Sequence, residues 1–201
     1  FGGKRWKVND IDSDKKTIYV EHAKGGKPPK FGGSGMTIHD VVRQEMFRIL
    51  KDGDYRISVG NKKVDFADAI AREQFKESVT FFQRSDLARK PLLKVGNSTY
   101  LFTWLGDKVV NTIVALLIMN GYEASAYAGV IEVEKTSVEG VKSTLRTLAS
   151  KKLPSETELA QSVLEKQIDK FDEFLPEDIL SIGYGTKAFD INGAKEWLII
   201  V

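Results

Sequence analysis

Residues 98–135 read STYLFTWLGDKVVNTIVALLIMNGYEASAYAGVIEVEK, and this stretch decides the fold. Ser98–Trp104 is rich in aromatic and β-branched residues, which suit a pleated, half-buried surface. Lys108–Asn120 is apolar almost all round, and Gly121 follows it as a stop. Ala124–Lys135 is β-prone again. The order strand, helix, strand predicts a crossover unit. A helix without a polar face has to be covered on all sides, so this unit is expected at the centre of the core. At the junction Trp104-Leu105-Gly106-Asp107, Asp107 is expected to cap the helix and Gly106 to permit the turn.

Working upstream, Leu92–Val95 is expected to pair with Ser98–Trp104 around Gly96-Asn97. Val64 to Leu87 carries the longest helical pattern. Phe66, Ala69, Ile70, Phe75, Val79 and Phe82 are candidates for one face, and Pro91 stops the run. A short extended piece at Arg56–Val59 precedes it. Ile38 to Leu50 has helical spacing, with Thr37 as N-cap and Asp40 three residues on as its capping partner. Lys4–Ile11 and Lys15–Ala23 read as a β-hairpin about an Asp/Ser/Lys turn. The stretch from Gly25 to Gly35 holds five glycines and two prolines, so it reads as a long exposed loop. Downstream, helices are predicted over Ser137–Ala149, Ser155–Asp172 and Glu177–Ile182, with a last one after Asp190. The expected fold is α+β: a small mixed β-sheet with an N-terminal β-hairpin, packed by several α-helices. Residues 1–35 form the hairpin and loop, within this domain or an upstream β-rich module. Residues 36–201 form the α+β domain.

With 201 residues and 22.5 kDa, the chain is one full domain or two small ones. At 42% hydrophobic and 29% charged it is neither disordered nor fibrous. It has no cysteine, which excludes disulfides, thiolate metal sites and a cysteine nucleophile. That fits a reducing compartment, and a soluble, cytoplasmic protein is expected. The longest apolar run, Val109 to Met119, is 11 residues, against about 20 for a membrane span. The chain opens on Phe1, not Met, and reads as a piece of a longer polypeptide.

Charge is unevenly spread. Residues 1–31 carry eight Lys or Arg against four acids, and residues 154–201 carry four against ten. A basic segment attracts a polyanion, whereas an acidic one repels it or docks on a basic surface. The candidate nucleic-acid contacts are Lys4, Arg5 and Trp6 on the hairpin and Lys27 and Lys30 in the loop, because cations beside an aromatic ring suit phosphate contact and base stacking. Trp6 beside Val8 also suits a core position. The loop lacks the phosphate-binding P-loop and dinucleotide patterns. Catalytic constellations are sparse. No Gly-x-Ser-x-Gly is present, and the two histidines, His22 and His39, share no motif. Glu132 and Glu134 fall on one face of a strand, where a carboxylate pair with a histidine could hold a hard cation.

Several stretches, in order, resemble a known family. They are Phe1-Gly-Gly-Lys-Arg-Trp-Lys-Val through Ile18-Tyr-Val-Glu, Gly25-Gly-Lys-Pro-Pro-Lys-Phe, and Ile38-His-Asp-Val-Val-Arg-Gln-Glu-Met. Further on come Tyr100-Leu-Phe-Thr-Trp-Leu-Gly-Asp-Lys-Val-Val-Asn-Thr and Leu175-Pro-Glu-Asp-Ile-Leu. Together they are similar to the C-terminal region of large bacterial superfamily II DEAD/H-box helicases of the Lhr (large helicase-related) type. The resemblance implies motor domains upstream that bind ATP and Mg, with no cofactor in this segment, and single-stranded DNA or RNA as partner. It implies a non-catalytic accessory domain that assists nucleic-acid binding or braces the motor. Two other expectations stand beside it: a protein-interaction module using the acidic C-terminal helices, and a metal-dependent hydrolase built on Glu132, Glu134 and a histidine.

Overall fold

The structure, a computed structural model, describes residues 6–23 and 37–200. The chain divides into two compact units, Phe1–Gly35 and Met36–Val201.

In the first unit β1 (Trp6–Asp12) runs antiparallel to β2 (Thr17–His22). The Asp12 carboxylate folds the turn, accepting from the Lys15 N–H at 2.9 Å. A register shift between Val8 and Asp10 inserts Asn9 as a bulge. Strand side chains alternate, so the extra residue brings Ile11 onto the face that already holds Trp6 and Val8. Ile18, Val20 and His22 complete that face. The other carries Lys7, Asp10, Asp12, Thr17, Tyr19 and Glu21.

The second unit contains α1 (Asp40–Asp52), the hairpin β3 (Ile57–Val59) and β4 (Lys62–Val64), and α2 (Ala69–Arg84). Then follow β5 (Leu92–Val95), β6 (Ser98–Phe102), α3 (Asp107–Met119), β7 (Ala124–Tyr127) and β8 (Val130–Val133). The chain continues through α4 (Val138–Ser150), α5 (Glu156–Gln161), a 3-10 turn (Asp172–Phe174), α6 (Glu177–Ala188) and α7 (Ile191–Ile200). The main sheet has the order β5-β6-β8-β7. The predicted crossover is present: β6 and β7 point the same way and α3 joins them. The single strand expected over Ala124–Lys135 is instead a hairpin. It turns at Ala128 (φ 52) and Gly129 (φ 83), the left-handed pair a tight hairpin turn needs. β8 thereby enters between β6 and β7. The architecture is α+β as expected, and every neighbouring strand pair is antiparallel, where a mixed sheet was expected.

Helix α3 is central. Val109, Val110, Ile113, Leu116 and Leu117 are all buried, against Leu101, Ile131 and Val133 of the sheet. Val141, Leu145 and Leu148 of α4 and Ala194, Trp197 and Leu198 of α7 belong to the same core. Thr112, the buried polar residue of α3, is doubly satisfied: its hydroxyl donates to the Lys108 carbonyl (2.8 Å) and accepts from the Asp190 N–H (2.9 Å). That second bond fixes where α7 begins, and Asp190 in turn accepts from the Gly193 N–H at 2.8 Å.

Two predicted helices have different limits. α2 starts at Ala69, not Val64, because Val64 pairs with Ile57 and Asp68 caps the helix through the Ala71 N–H (2.8 Å). Of its predicted face only Phe82 is buried, while Phe66 and Ile70 are exposed. The helix expected over Ser155–Asp172 ends at Gln161. The Ser162 hydroxyl donates to the Leu159 carbonyl (2.8 Å), and the Asp172 carboxylate accepts from the N–H groups of Ile168 (2.8 Å) and Asp169 (2.9 Å). Side chains here satisfy the backbone and compete with the helical ladder. α6, in turn, runs on to Ala188, past the expected end at Ile182.

Candidate nucleic-acid interface

Of the five contacts read from sequence, Lys4, Arg5, Lys27 and Lys30 lie outside the described residues, as does the glycine-rich loop. Trp6 is 38% exposed and meets His22 edge-on at 5.8 Å. It sits on the apolar face of the hairpin with Val8 and Val20, while Lys7 sits on the polar face and pairs with Glu21 at 3.0 Å. Lys15 pairs with Asp12. Residues 6–23 hold three lysines and four acids, so this part of the hairpin is not electropositive.

The junction at Gly106 is built differently from the sequence expectation. Thr37 does not cap α1; the His39 imidazole does, with Nδ1 accepting from the Val41 N–H at 3.2 Å. Asp40 reaches across to the start of α3 and accepts from the Gly106 N–H (2.6 Å). Asp107 reaches back and accepts from the Ile38 N–H (2.8 Å), and Arg43 pairs with it at 3.4 Å. Each helix start thus supplies a carboxylate to the other, where orphan N–H groups and the helix dipole favour negative charge. Gly106 itself is extended (φ −69); the left-handed residue of the turn is Trp104 (φ 58). The junction is a structural clasp.

Of the two carboxylates expected at a metal, Glu132 is engaged elsewhere. Glu132 accepts from the Tyr100 hydroxyl (2.9 Å), and that contact raises the Tyr100 pKa. Among the described residues no group of three His, Asp or Glu side chains is placed to hold a metal ion. An open cleft of about 560 Å³ lies between the β3–β4 region and α2, lined by Tyr55, Phe75, Arg56 and Arg72. Its charges are internally matched: Arg56 and Lys63 bind Asp54, and Arg72 binds Asp65. The Asp54 carboxyl is held well below the usual range, first by the Arg56 side chain and then by Lys63. A depressed carboxylate stabilises the fold above its unfolded pKa, and the contribution fades as pH falls towards the folded value. NMR titration of the Asp54 carboxyl is therefore expected to give a midpoint below the ordinary 3.8. The β3–β4 amides should hold their shifts until that carboxyl protonates. A midpoint at or above 3.8 would mean these ion pairs do not form in solution.

One basic surface does assemble, on α4. Val141, Leu145 and Leu148 face the core at helical spacing, so the opposite side presents Ser143, Arg146, Thr147 and Ser150, with the half-buried Lys142 on its flank. Lys151 and Lys152 follow the last turn. Lys195 of α7 donates to the carbonyls of Ala149 (2.6 Å) and Lys151 (2.7 Å), adding a third cation at that end. Glu139 is the acid of this helix. Lys142, Arg146 and Lys151 make no ion pair among the described residues. Lys152 lies near Glu158, whose carboxyl is lowered chiefly by the Ser155 N–H and to a lesser degree by Lys152. Most other cations of the unit are neutralised, as in Arg48 with Glu45 and Asp52, Arg89 with Asp86, and Lys135 with Glu123. A stripe of uncompensated Lys and Arg beside Ser and Thr hydroxyls is the side-chain set that contacts phosphate oxygens. Its signal was present in the sequence. Residues 138–152 hold four cations and one acid, a local excess.

No protein-family model, curated protein or solved structure matches this chain. No described helix is long and apolar enough to cross a membrane.

Proposed function

We propose that this chain is a non-catalytic accessory domain of an ATP-dependent helicase, contacting single-stranded DNA or RNA through the basic face of α4. The observation that carries the contact is the run of cations without an ion pair among the described residues, Lys142 and Arg146 on α4 and Lys151 just past its end, on a helix whose other side is anchored in the core. The helicase assignment rests on the ordered sequence resemblance, in which ATP and Mg belong to motor domains of the parent chain. Such a surface binds the backbone by releasing counterions, without reading bases, so binding is weak, sequence-tolerant and salt-sensitive.

The test is fluorescence anisotropy of the chain with a labelled 20-nucleotide single strand across a salt series. About three phosphate contacts give a slope of log K on log salt near −2. The Lys142→Ala/Arg146→Ala/Lys151→Ala variant is expected to bind at least tenfold more weakly with a flatter slope, and with unchanged circular dichroism. Absence of salt-dependent binding at low ionic strength would overturn the nucleic-acid reading. Equal binding by the variant would overturn the assignment to α4, and a Lys4/Arg5/Lys27/Lys30→Ala variant then asks whether the amino-terminal cations carry it.

A second reading, docking of a partner protein through the acidic carboxy-terminal quarter, is favoured by the apolar surface described next.

A further inference from the structure

Helix α6 buries Ser181 and Gly185 and turns Ile179, Ile182, Gly183 and Thr186 outward, at the i, i+3, i+4, i+7 spacing of a single stripe. Leu180, Tyr184 and Ala188 are half-buried on the inward side, so the helix is apolar on both faces. Ile179 and Ile182 are 44% and 50% exposed, and nothing lies within 4 Å of where a side chain on Gly183 would project. The segment before α6 is fastened to the helix at both ends. Lys166 pairs with Glu177 in the first turn, and Asp169 pairs with Lys187 in the last. It carries Phe171, Phe174 and Leu175, all exposed. Five large apolar side chains therefore face solvent within one short stretch of chain, where an isolated exposed residue would need no explanation.

The charges around them are acidic. Residues 165–178 hold six Asp or Glu against two Lys. Lys166 is buried on Glu177, and Lys170 lies over the Phe171 ring at 5.4 Å. Asp169 is engaged by Lys187 of α6, and Asp172 by the backbone of the segment itself. Glu165, Glu173 and Asp178 have no partner among the described residues. Asp178 sits in the first turn of α6, where the helix dipole favours it; Glu165 and Glu173 have no such role.

This chemistry selects the occupant. An acidic rim repels phosphate, which disfavours nucleic acid and anionic lipid headgroups. A second copy in a two-fold dimer would set the same acidic patch against itself. A helical stripe with an open glycine offers a ridge and groove for another helix. We propose that Phe171, Phe174, Leu175, Ile179 and Ile182 form a docking surface for an amphipathic α-helix of a partner protein, with apolar residues on one face and Lys or Arg along its margins.

The probes are two labelled 18-residue amphipathic peptides with the same leucine face, one with lysine and one with glutamate elsewhere, titrated with the full chain. The lysine peptide is expected to bind at least tenfold more tightly than the glutamate peptide. Phe174→Ser/Ile182→Ser, which alters two exposed side chains, is expected to weaken it at least tenfold with unchanged circular dichroism. Glu165→Gln/Glu173→Gln is expected to weaken it several-fold and to flatten its salt dependence. No binding, equal binding of the two peptides, or full binding by Phe174→Ser/Ile182→Ser would overturn the proposal. So would concentration-dependent dimerisation that the same double variant abolishes. The double variant is expected to keep its single-strand binding, so the outcome is independent of the α4 interface.

Discussion

Gly106→Ala is expected to lower the melting temperature by about 6–12 °C, which corresponds to about 3 kcal/mol for a chain of this size. The reason is not backbone freedom, since Gly106 is extended and any residue can adopt its φ. A Cβ there would lie 2.6 Å from the Ile38 carbonyl oxygen, 2.8 Å from the Asp40 nitrogen and 3.0 Å from the His39 carbonyl carbon. All three are main-chain atoms, so no rotamer change relieves the contact. Retreat of the 38–40 segment would stretch the bonds that hold α1 to α3: Asp107 N–H to the Ile38 carbonyl (2.9 Å), Ile38 N–H to Asp107, and Gly106 N–H to Asp40. Each would leave a helix-terminal group short of its partner, at a further cost of about 1 kcal/mol. Thermal unfolding followed by circular dichroism, with amide exchange over α1, checks this. A melting temperature within about 2 °C of the parent, with α1 protection retained, would contradict the tight crossing of the two helix starts.

The second large effect separates two glycines of one helix. Gly185→Ala places a Cβ 2.7 Å from the Glu156 carbonyl oxygen and 2.8 Å from its carbon, where α6 crosses the start of α5. Again only backbone can yield, and a loss of about 2–3 kcal/mol is expected. Gly183→Ala, two residues earlier, meets nothing within 4 Å. In an exposed helix interior it exchanges the most flexible residue for the best helix former, so a gain of about 0.5–1 kcal/mol is expected. Denaturant midpoints of both variants against the parent decide the matter. The opposite signs matter more than the sizes. Two losses, or two gains, would mean that α6 does not present the face described here. Gly183→Ala also removes the open notch in the proposed docking stripe without adding charge, so its peptide affinity reports on helix-to-helix approach independently of stability.

Much of this was legible in sequence because it is local. The apolar helix after Gly106, the start of α4 behind Ser137, whose hydroxyl accepts from the Gly140 N–H (3.1 Å), and the Gly96-Asn97 turn all lie where periodicity and turn chemistry put them. So does the amino-terminal hairpin over its described part. The errors share a cause. Capping logic applied along the chain assigns Thr37, Asp40 and Asp107 to their own helices, whereas all three carboxylate contacts at the junction cross between residues more than sixty positions apart. The helix expected over 155–172 failed similarly. Its apolar spacing is adequate, but Lys166 and Asp169 are drawn to α6 and Asp172 ties up the backbone between them. For the candidate site, the electropositive surface expected near the amino end is absent from the described hairpin, where Asp10, Asp12, Asp14 and Glu21 offset the lysines. The basic face of α4 emerges only once burial shows which side of that helix is free.

The sequence by itself determined the α+β class, the central apolar helix between two β-prone segments, and the split between basic and acidic portions, because each follows from residue type and spacing alone. Only the tertiary structure decided that β8 slots between β6 and β7, that two helix starts exchange carboxylates, and which cations are left unpaired. Those outcomes depend on groups that meet only after the chain has closed distant loops, and composition and periodicity contain no term for such meetings.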